Sequence, residues 1–327
     1  MRFGILRLIV VGLTLVCLRA GPVRADFVFT TLVPPGSVVA DANGINGTGQ
    51  IVGDYRDGAG AGHGFLLSSG TYTQLDVPGA FATSAFGIND NGQIVGIAEG
   101  TSSLHGFLLD KGTYTQFDVP NSRSTSAQGI NQSSQIVGFY EAGNFSLHGF
   151  ALNGGTYTQL DFPGSKGSQA FGINNAGEIV GTYNDANFVG HGFLLDAGTY
   201  STIDFPGASF TQANGINDAG QIVGTYLDAA GFGHGFFFDG VNYRTLDFPG
   251  ALATTAIGIN ANQNIVGNYD SNAFLAVPGT AVPEPGTLGL AALGTISLLL
   301  YTRRCRSRSH GRAIEAAAGT DGNTSGL

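Results

Sequence analysis

The sequence lacks several residue types whose absence limits its fold class. Tryptophan is absent, and charged residues make up only 11% of the 327 residues. Together with 53 glycines, this composition argues against a helical bundle and favours a turn-rich, all-β protein. The only cysteines are Cys17 and Cys305, which lie in or just after the two terminal apolar segments. The chain between those segments therefore has no disulfide and depends on burial and hydrogen bonding for stability.

Basic residues are also scarce, which limits the choice of partners. Residues 26–285 contain 21 acidic and 5 basic side chains, a net charge of about −16. Without a basic stripe to meet phosphate, nucleic acid is disfavoured and we predict no nucleic-acid partner, whereas neutral polysaccharides and divalent cations are compatible. The sequence has no phosphate-binding glycine loop, zinc-helix motif, serine elbow or cysteine nucleophile. We therefore predict no catalytic residues and no cofactor, and a divalent cation stays an open alternative.

What the sequence has is a unit of about 43 residues that recurs six times. A Gly-Ile-Asn tripeptide marks each copy, with its isoleucine at Ile45, Ile88, Ile130, Ile173, Ile216 and Ile259. A repeat of this length is one supersecondary unit that cannot bury its apolar face alone, so the copies must stack or close into a ring. The repeat therefore predicts one domain rather than two.

Each copy has the pattern of four short antiparallel strands joined by glycine-rich turns, as in a propeller blade. The sixth copy stops one strand short, and the missing strand is found at the other end of the repeat region. The segment starting at Phe29 aligns without gaps with the fourth-strand segment starting at Tyr72. A strand from the amino end that completes the last blade closes a propeller and removes its exposed edges. We therefore predict an all-β, six-bladed β-propeller over residues 26–278.

The two ends of the chain carry targeting patterns. Residues 1–25 read as a signal peptide, with a basic start, an apolar stretch and a small residue before Asp26. Residues 279–285 form a linker, residues 286–302 a short apolar transmembrane helix, and residues 303–327 a basic cytoplasmic tail. The sorting motif consists of Val282, Pro283, Glu284 and Pro285, and the membrane stop consists of Arg303, Arg304, Arg306 and Arg308.

This tripartite end resembles the PEP-CTERM sorting signal of Gram-negative bacteria. The resemblance implies an exosortase as partner and a location in the cell envelope or outside the cell, with membrane anchoring before processing. The tail from Ser309 to Leu327 is longer than the family pattern. Separately, Gly-Ile-Asn, Gln-Ile-Val-Gly and His-Gly-Phe resemble the HAF family of extracellular repeats from Phe29 to about Val277. That resemblance implies an exported repeat domain and transfers no catalytic residue.

Three sets of polar residues recur at fixed positions in the repeat, and we assign all three structural roles. The histidines are expected to hydrogen bond to neighbouring strands or loops rather than to form a metal ring. The aspartates that precede a proline turn are expected to accept backbone N–H groups, and the asparagines to cap turns. The sets are His63, His105, His148, His191 and His234; Asp76, Asp118, Asp161, Asp204 and Asp247; and Asn46, Asn89, Asn131, Asn174, Asn217 and Asn260.

A functional site is expected where the copies differ, which directs attention to the loops between the second and third strands. These loops mix acidic and aromatic residues that suit a sugar or a cation. The candidate binding residues are Asp57, Glu99, Glu141, Phe145, Asp185, Phe188, Asp228 and Phe232. The leading hypothesis is a non-catalytic module that binds an extracellular polysaccharide or a surface protein. Two alternatives remain: an extracellular hydrolase or lyase with an axial His/Asp site, and a purely structural surface protein.

Overall fold

The computed structural model describes residues 27–279. Within that range it contains 24 β-strands and no helix, so no helix there is long and apolar enough to cross a membrane. The expected signal peptide, the rest of the linker, the transmembrane helix and the basic tail lie outside the described residues. The all-β prediction is confirmed for residues 27–279.

The strands are short and evenly spaced. Their bounds are β1 (Phe27–Leu32), β2 (Ser37–Ile45), β3 (Ile51–Asp57), β4 (Gly62–Ser68), β5 (Thr71–Leu75), β6 (Ala82–Ile88), β7 (Ile94–Glu99), β8 (Leu104–Asp110), β9 (Thr113–Phe117), β10 (Ser124–Ile130), β11 (Ile136–Glu141), β12 (Leu147–Asn153), β13 (Thr156–Leu160), β14 (Gly167–Ile173), β15 (Ile179–Asn184), β16 (Gly190–Asp196), β17 (Thr199–Ile203), β18 (Phe210–Ile216), β19 (Ile222–Leu227), β20 (Gly233–Phe238), β21 (Tyr243–Leu246), β22 (Thr254–Ile259), β23 (Ile265–Tyr269) and β24 (Asn272–Pro278).

The strands form six four-stranded antiparallel blades. Blades 1 to 5 are β2–β5, β6–β9, β10–β13, β14–β17 and β18–β21, and one parallel bridge between Gly62 and Ala82 links the first two. Blade 6 consists of β22, β23 and β24 with β1 as its outer strand. Phe29 of β1 pairs with Ala276 of β24. The strand from the amino end thus completes the last blade, as the gap-free alignment predicts.

The core lies between the blades, and both faces of each second strand contribute to it. Ile51 packs in a cluster that includes Val266 and Ala273 of blade 6, while Val52 packs with Phe107 and other residues of blade 2. Successive residues of a strand point to opposite faces, so a strand buried on both sides needs consecutive apolar residues. This geometry explains the Gln-Ile-Val-Gly pattern in the repeat.

The glycine that ends this pattern is required by close packing. A Cβ atom added to Gly138 would lie 2.0 Å from the carbonyl oxygen of Ser126 and 2.9 Å from the ring of Phe150. Phe150 is the phenylalanine of His-Gly-Phe and is 1% exposed. The glycine therefore provides the space that the phenylalanine ring fills in the centre of the blade.

Candidate functional site

The propeller has two faces that differ in their connections. At the loop face, named here for the loops between second and third strands, Ser37 pairs with Asp57 and Arg56 pairs with Gly62. At the turn face, the tight turns between first and second strands include residues 46–50 of blade 1. The innermost strands run along the central axis from the loop face to the turn face.

The six repeated asparagines lie at the turn face and join the blades in a closed ring. Each Nδ2 donates a hydrogen bond of 2.9–3.2 Å to the backbone oxygen of the equivalent asparagine in the next blade. The ring closes where Asn260 of blade 6 donates to the oxygen of Asn46 in blade 1. All six side chains are only 3–4% exposed.

The same asparagines also form the turns within their own blades. In each copy Oδ1 accepts the backbone N–H four residues later at 2.9–3.1 Å. In five copies Nδ2 also donates to a glutamine or glutamate at that position. The amide groups around the cavity of about 100 Å³ at this end of the axis are thus used by the fold itself.

The five histidines lie on the third strands of blades 1 to 5 and pair with the repeated aspartates. Each histidine Nδ1 lies 2.8–3.0 Å from a carboxylate oxygen of the aspartate 13 residues later. The expectation that these aspartates accept backbone N–H groups in their turns is therefore wrong. The turn N–H of Val77, for example, donates to the Thr83 hydroxyl instead. None of the histidines is among the residues that line the described axial cavities.

The second ring nitrogen of each histidine meets one of two partners. In blades 1, 4 and 5, Nε2 lies 3.7–4.0 Å from the first acidic residue of the loop, Asp57, Asp185 or Asp228. In blades 2 and 3, Nε2 lies 2.9 and 2.7 Å from the hydroxyls of Ser103 and Ser146. Blade 2 therefore carries a Ser–His–Asp chain of hydrogen bonds, an arrangement that activates a serine in hydrolases, whereas the Ser146 hydroxyl of blade 3 donates its proton to Asn144 Oδ1 at 2.6 Å.

The three loop aspartates are held by their own loops. Hydrogen bonds from backbone N–H groups lower the pKa of all three carboxylates. The donor with the largest effect is Ala61 for Asp57, Val189 for Asp185 and Phe232 for Asp228. In blade 5, the hydrogen bond to Asp247 raises the pKa of His234. These three of the five acidic members of the predicted binding set thus shape their loops. Glu99 is exposed, and Glu141 lies 3.8 Å from Arg123.

The aromatic loop residues are exposed, and two of them have an unusual backbone. Phe145, Phe188 and Phe232 expose 67%, 73% and 59% of their surface. Phe145 and Phe188 have φ of 68° and 63°, where the equivalent residues of blades 1 and 5 are Gly60 and Gly231 with φ of 88° and 86°. The Arg123 guanidinium covers the ring of Phe145 at 4.1 Å. Phe188 is thus the most exposed of these rings.

A further set of irregular residues, missed in the sequence, faces the axis. Each inner strand has a β-bulge at the residue before Gly-Ile-Asn. Bulges redirect side chains and are common beside functional sites. The six bulge residues line an axial pocket of about 180 Å³ toward the loop face. Around the ring they alternate between amide and apolar side chains: Asn43, Phe86, Gln128, Phe171, Asn214 and Ile257.

Blade 1 places two carboxylates beside this axial pocket. Asp41 and Asp54 are paired across β2 and β3, and Asp54 accepts a 2.9 Å hydrogen bond from Nδ2 of Asn43. Burial, followed by the nearby Asp41 carboxylate, raises the pKa of Asp54 to about 7, and burial also raises the pKa of Asp41. Among residues 27–279, no group of three or more histidine, cysteine or acidic side chains is placed to hold a metal ion.

Several solved structures are similar to this chain at low identity. A streptogramin B lyase is 14% identical with a TM-score of 0.45, covering 78% of this chain and 98% of its own. A lectin of Aleuria aurantia described as a six-bladed β-propeller is 14% identical with a TM-score of 0.45, covering 78% and 100%. AofleA from Arthrobotrys oligospora is 12% identical with a TM-score of 0.49, covering 79% and 94%.

The terminal segment gives the clearest relationship to a known family. No curated protein matches the chain. A family model of the PEP-CTERM protein-sorting motif matches residues 281–306, which include Val282, Pro283, Glu284 and Pro285. The motif implies export to the cell envelope or beyond and processing by an exosortase. This chain therefore carries a PEP-CTERM sorting motif behind a β-propeller.

Proposed function

We propose that this exported propeller is a non-catalytic binding module of the cell surface or extracellular matrix, and that its loop face binds a neutral polysaccharide. The observation that carries the proposal is the conformation of Phe188. This residue is a large, exposed aromatic in a left-handed backbone region that the equivalent loops of blades 1 and 5 occupy with glycine.

Phe188 does little for the stability of the fold. A bulky residue at positive φ costs roughly 1–3 kcal/mol, which a glycine avoids. The ring is 73% exposed, so burial offsets little of that cost. Backbone strain that the fold does not need is a sign of function when it presents a side chain to solvent. We infer that the ring of Phe188 is a contact surface.

The charge of the chain and the chemistry around the aromatic residues favour neutral sugars over anionic polymers. Residues 26–285 carry a net charge of about −16, which disfavours anionic polymers and nucleic acid. An aromatic ring offers a flat apolar face to the C–H face of a sugar, while neighbouring loop amides can bond its hydroxyls. Asn187 lies next to Phe188, and Asn144 lies next to Phe145. Both loops thus pair an aromatic ring with an amide.

Delivery and anchoring complete the proposal. Residues 286–302 hold the protein in the membrane before exosortase processing, and residues 303–327 stay in the cytoplasm. The propeller then belongs to the HAF-type extracellular repeats that its motifs resemble. A surface protein is the alternative partner, and a purely structural role is the alternative without a ligand.

Binding to glycans tests the proposal. The purified protein and Phe188→Gly are compared on a glycan array and in pull-downs with insoluble neutral polysaccharides. Phe188→Gly relieves strain, so we expect unchanged or slightly higher stability together with at least about tenfold weaker binding. Lys111→Gly is the matched control, since Lys111 also has positive φ, of 49°, but lies at the turn face. Full binding by Phe188→Gly, or no glycan bound by the wild-type protein, would refute the polysaccharide role.

The Ser103–His105–Asp118 chain of blade 2 favours a hydrolase as the second candidate. A fluorophosphonate probe labels serines that an adjacent histidine activates. If the protein is a hydrolase, the probe labels Ser103, and Ser103→Ala abolishes the labelling. Absence of labelling in the wild-type protein would eliminate this candidate.

A further inference from the structure

We propose that the axial pocket at the loop face binds a small, neutral, hydroxyl-rich molecule of about the size of one sugar unit. This site lies at the centre of the ring and differs from the aromatic loop surface. The proposal goes beyond the polysaccharide role and stands on separate residues.

The first argument is the placement of the lining side chains. All six inner strands present their bulge residue to the axis, and these residues differ while the following Gly-Ile-Asn stays the same in every copy. The turn-face cavity is lined by the six repeated isoleucines and asparagines and by the residue after each asparagine, whereas the eight residues that line the axial pocket are of five types and none belongs to the repeated tripeptide. A pocket needed only to close the ring would have no reason to differ from blade to blade.

The second argument is the direction of the polar groups. Nδ2 of Asn43 is held by Asp54 Oδ1 at 2.9 Å and by the Ala85 backbone oxygen at 3.1 Å. Nε2 of Gln128 donates to Ser126 at 2.7 Å, and Nε2 of Gln212 donates to Asn214 at 2.7 Å.

These contacts turn the amide oxygens into hydrogen-bond acceptors for a ligand. Within residues 27–279, Oδ1 of Asn43 and Oε1 of Gln128 and Gln212 accept no hydrogen bond, and these atoms are not enclosed. The hydroxyl of Thr255, which also lines the pocket, has no partner within the same residues. A ligand that donates several hydrogen bonds satisfies these oxygens.

The third argument is the apolar half of the lining. Phe86, Phe171 and Ile257 alternate with the amides, so a ligand needs apolar edges as well as hydroxyls. The eight residues around the pocket include no charged side chain, which leaves an anion or a cation without a partner at the wall. A pyranose or a cyclic polyol meets both requirements. The pocket, at about 180 Å³, is far larger than the ~10–15 Å³ that admits one water.

Sugar titrations of the purified full-length chain test the site. The probes are D-glucose, D-galactose, D-mannose and N-acetyl-D-glucosamine, followed by saturation-transfer NMR and calorimetry. For a ligand this small we expect a dissociation constant on the order of millimolar for at least one probe. Gln128→Met keeps the shape and removes the acceptor, and it should weaken binding about tenfold. Phe171→Leu removes part of the apolar wall and should also weaken binding.

Two controls separate this site from the loop surface. Melting temperatures of both variants show whether they fold, and Gln212→Met, which removes another amide oxygen from the pocket lining and should also weaken binding, replaces either variant that does not fold. Phe188→Gly should bind the monosaccharide as the wild type does. The axial site is overturned if no probe binds, or if Gln128→Met and Phe171→Leu both bind with wild-type affinity. It is also overturned if Phe188→Gly alone abolishes binding, because the sugar then occupies the loops.

Discussion

The asparagine ring makes the sharpest prediction about stability. Asn131→Asp preserves shape and retains Oδ1, which accepts the N–H groups of Ser133 and Gln135 at 3.1 and 3.0 Å. It removes two donated hydrogen bonds, to Gln135 Oε1 at 2.7 Å and to the Asn174 backbone oxygen at 3.2 Å. The carboxylate oxygen that replaces Nδ2 then faces the oxygen of Asn174 across the blade junction.

The magnitude follows from the lost contacts. Two lost hydrogen bonds at about 1 kcal/mol each, plus the cost of a buried carboxylate oxygen that faces the Asn174 oxygen, give a loss of about 3 kcal/mol in the free energy of unfolding, although the Asn174 oxygen keeps the N–H of Gly177. For a domain of this size each 1 kcal/mol lowers the melting temperature by about 2–4 °C, so the expected fall is about 6–12 °C. Asn174→Asp should cost more at neutral pH, because Nδ2 of Asn174 bonds the Glu178 carboxylate.

These losses in the free energy of unfolding are measured by guanidinium denaturation, in which an unchanged m-value shows that only stability has changed. The matched control is Asn91→Asp, since the exposed Asn91 also donates across a blade junction, to the Gln132 oxygen at 3.1 Å. Because Asn91 is exposed, Asn91→Asp should change the free energy of unfolding by no more than about 0.5 kcal/mol. If Asn131→Asp is no less stable than Asn91→Asp, the buried ring is not a significant source of stability and the reasoning fails.

Three further predictions concern the core, an ionisable group and the ring closure. Gly138→Ala should lower the free energy of unfolding by more than about 4 kcal/mol or prevent folding, because the added Cβ would lie 2.0 Å from the Ser126 oxygen. A melting curve like that of the wild type would contradict this packing. Asp54 binds its proton more tightly in the folded state, so stability should fall as pH rises from 3.8 to about 7. Asp54→Asn should flatten that slope and gain about 2–4 kcal/mol at pH 8, as measured by denaturation at several pH values; an unchanged slope would contradict the shift. Phe29→Ala removes edge contacts with the rings of Phe248 and Phe274, so β1 should release β24. The unpaired edge of β24 should then cause concentration-dependent association in ultracentrifugation. A strictly monomeric variant would show that closure of the propeller does not depend on the Phe29 ring.

The closed ring of blades could be predicted from the sequence because the 43-residue repeat is regular. The fourth-strand segment at Tyr72 and the orphan segment at Phe29 share a register, and β1 pairs with β24 as that register requires. The bulge before Gly-Ile-Asn was not predicted, because a bulge inserts one residue without interrupting the β-prone pattern. Its consequence, a side chain turned to the axis, is visible only in three dimensions.

The pairing of histidine with aspartate could have been found in the sequence. Gly64 pairs with Leu75 across the hairpin of β4 and β5, and the same register carried one residue further places His63 opposite Asp76. The constant offset of 13 residues in all five blades was the available signal. Taken as separate sets, the aspartates were assigned to turns and the shared hydrogen bond was missed.

The two proposed sites lie where the fold leaves side chains free to differ. Asn131 cannot change alone, because its amide bonds atoms of its own blade and the next. Gln128, three residues earlier, lines the axial pocket and bonds only Ser126 through its amide nitrogen, while its amide oxygen accepts no hydrogen bond within residues 27–279. Its replacement therefore alters the pocket without breaking a contact between blades. The ring of Phe188 is free in the same way, since its loop is shaped by the Asp185 carboxylate, which accepts the N–H groups of Asn187 and Val189, and by backbone hydrogen bonds between Asp185 and residues 188 and 189. Because Gln128 and Phe188 share no partner, the effects of Gln128→Met and Phe188→Gly on stability should add, and their effects on the two ligands should remain separate.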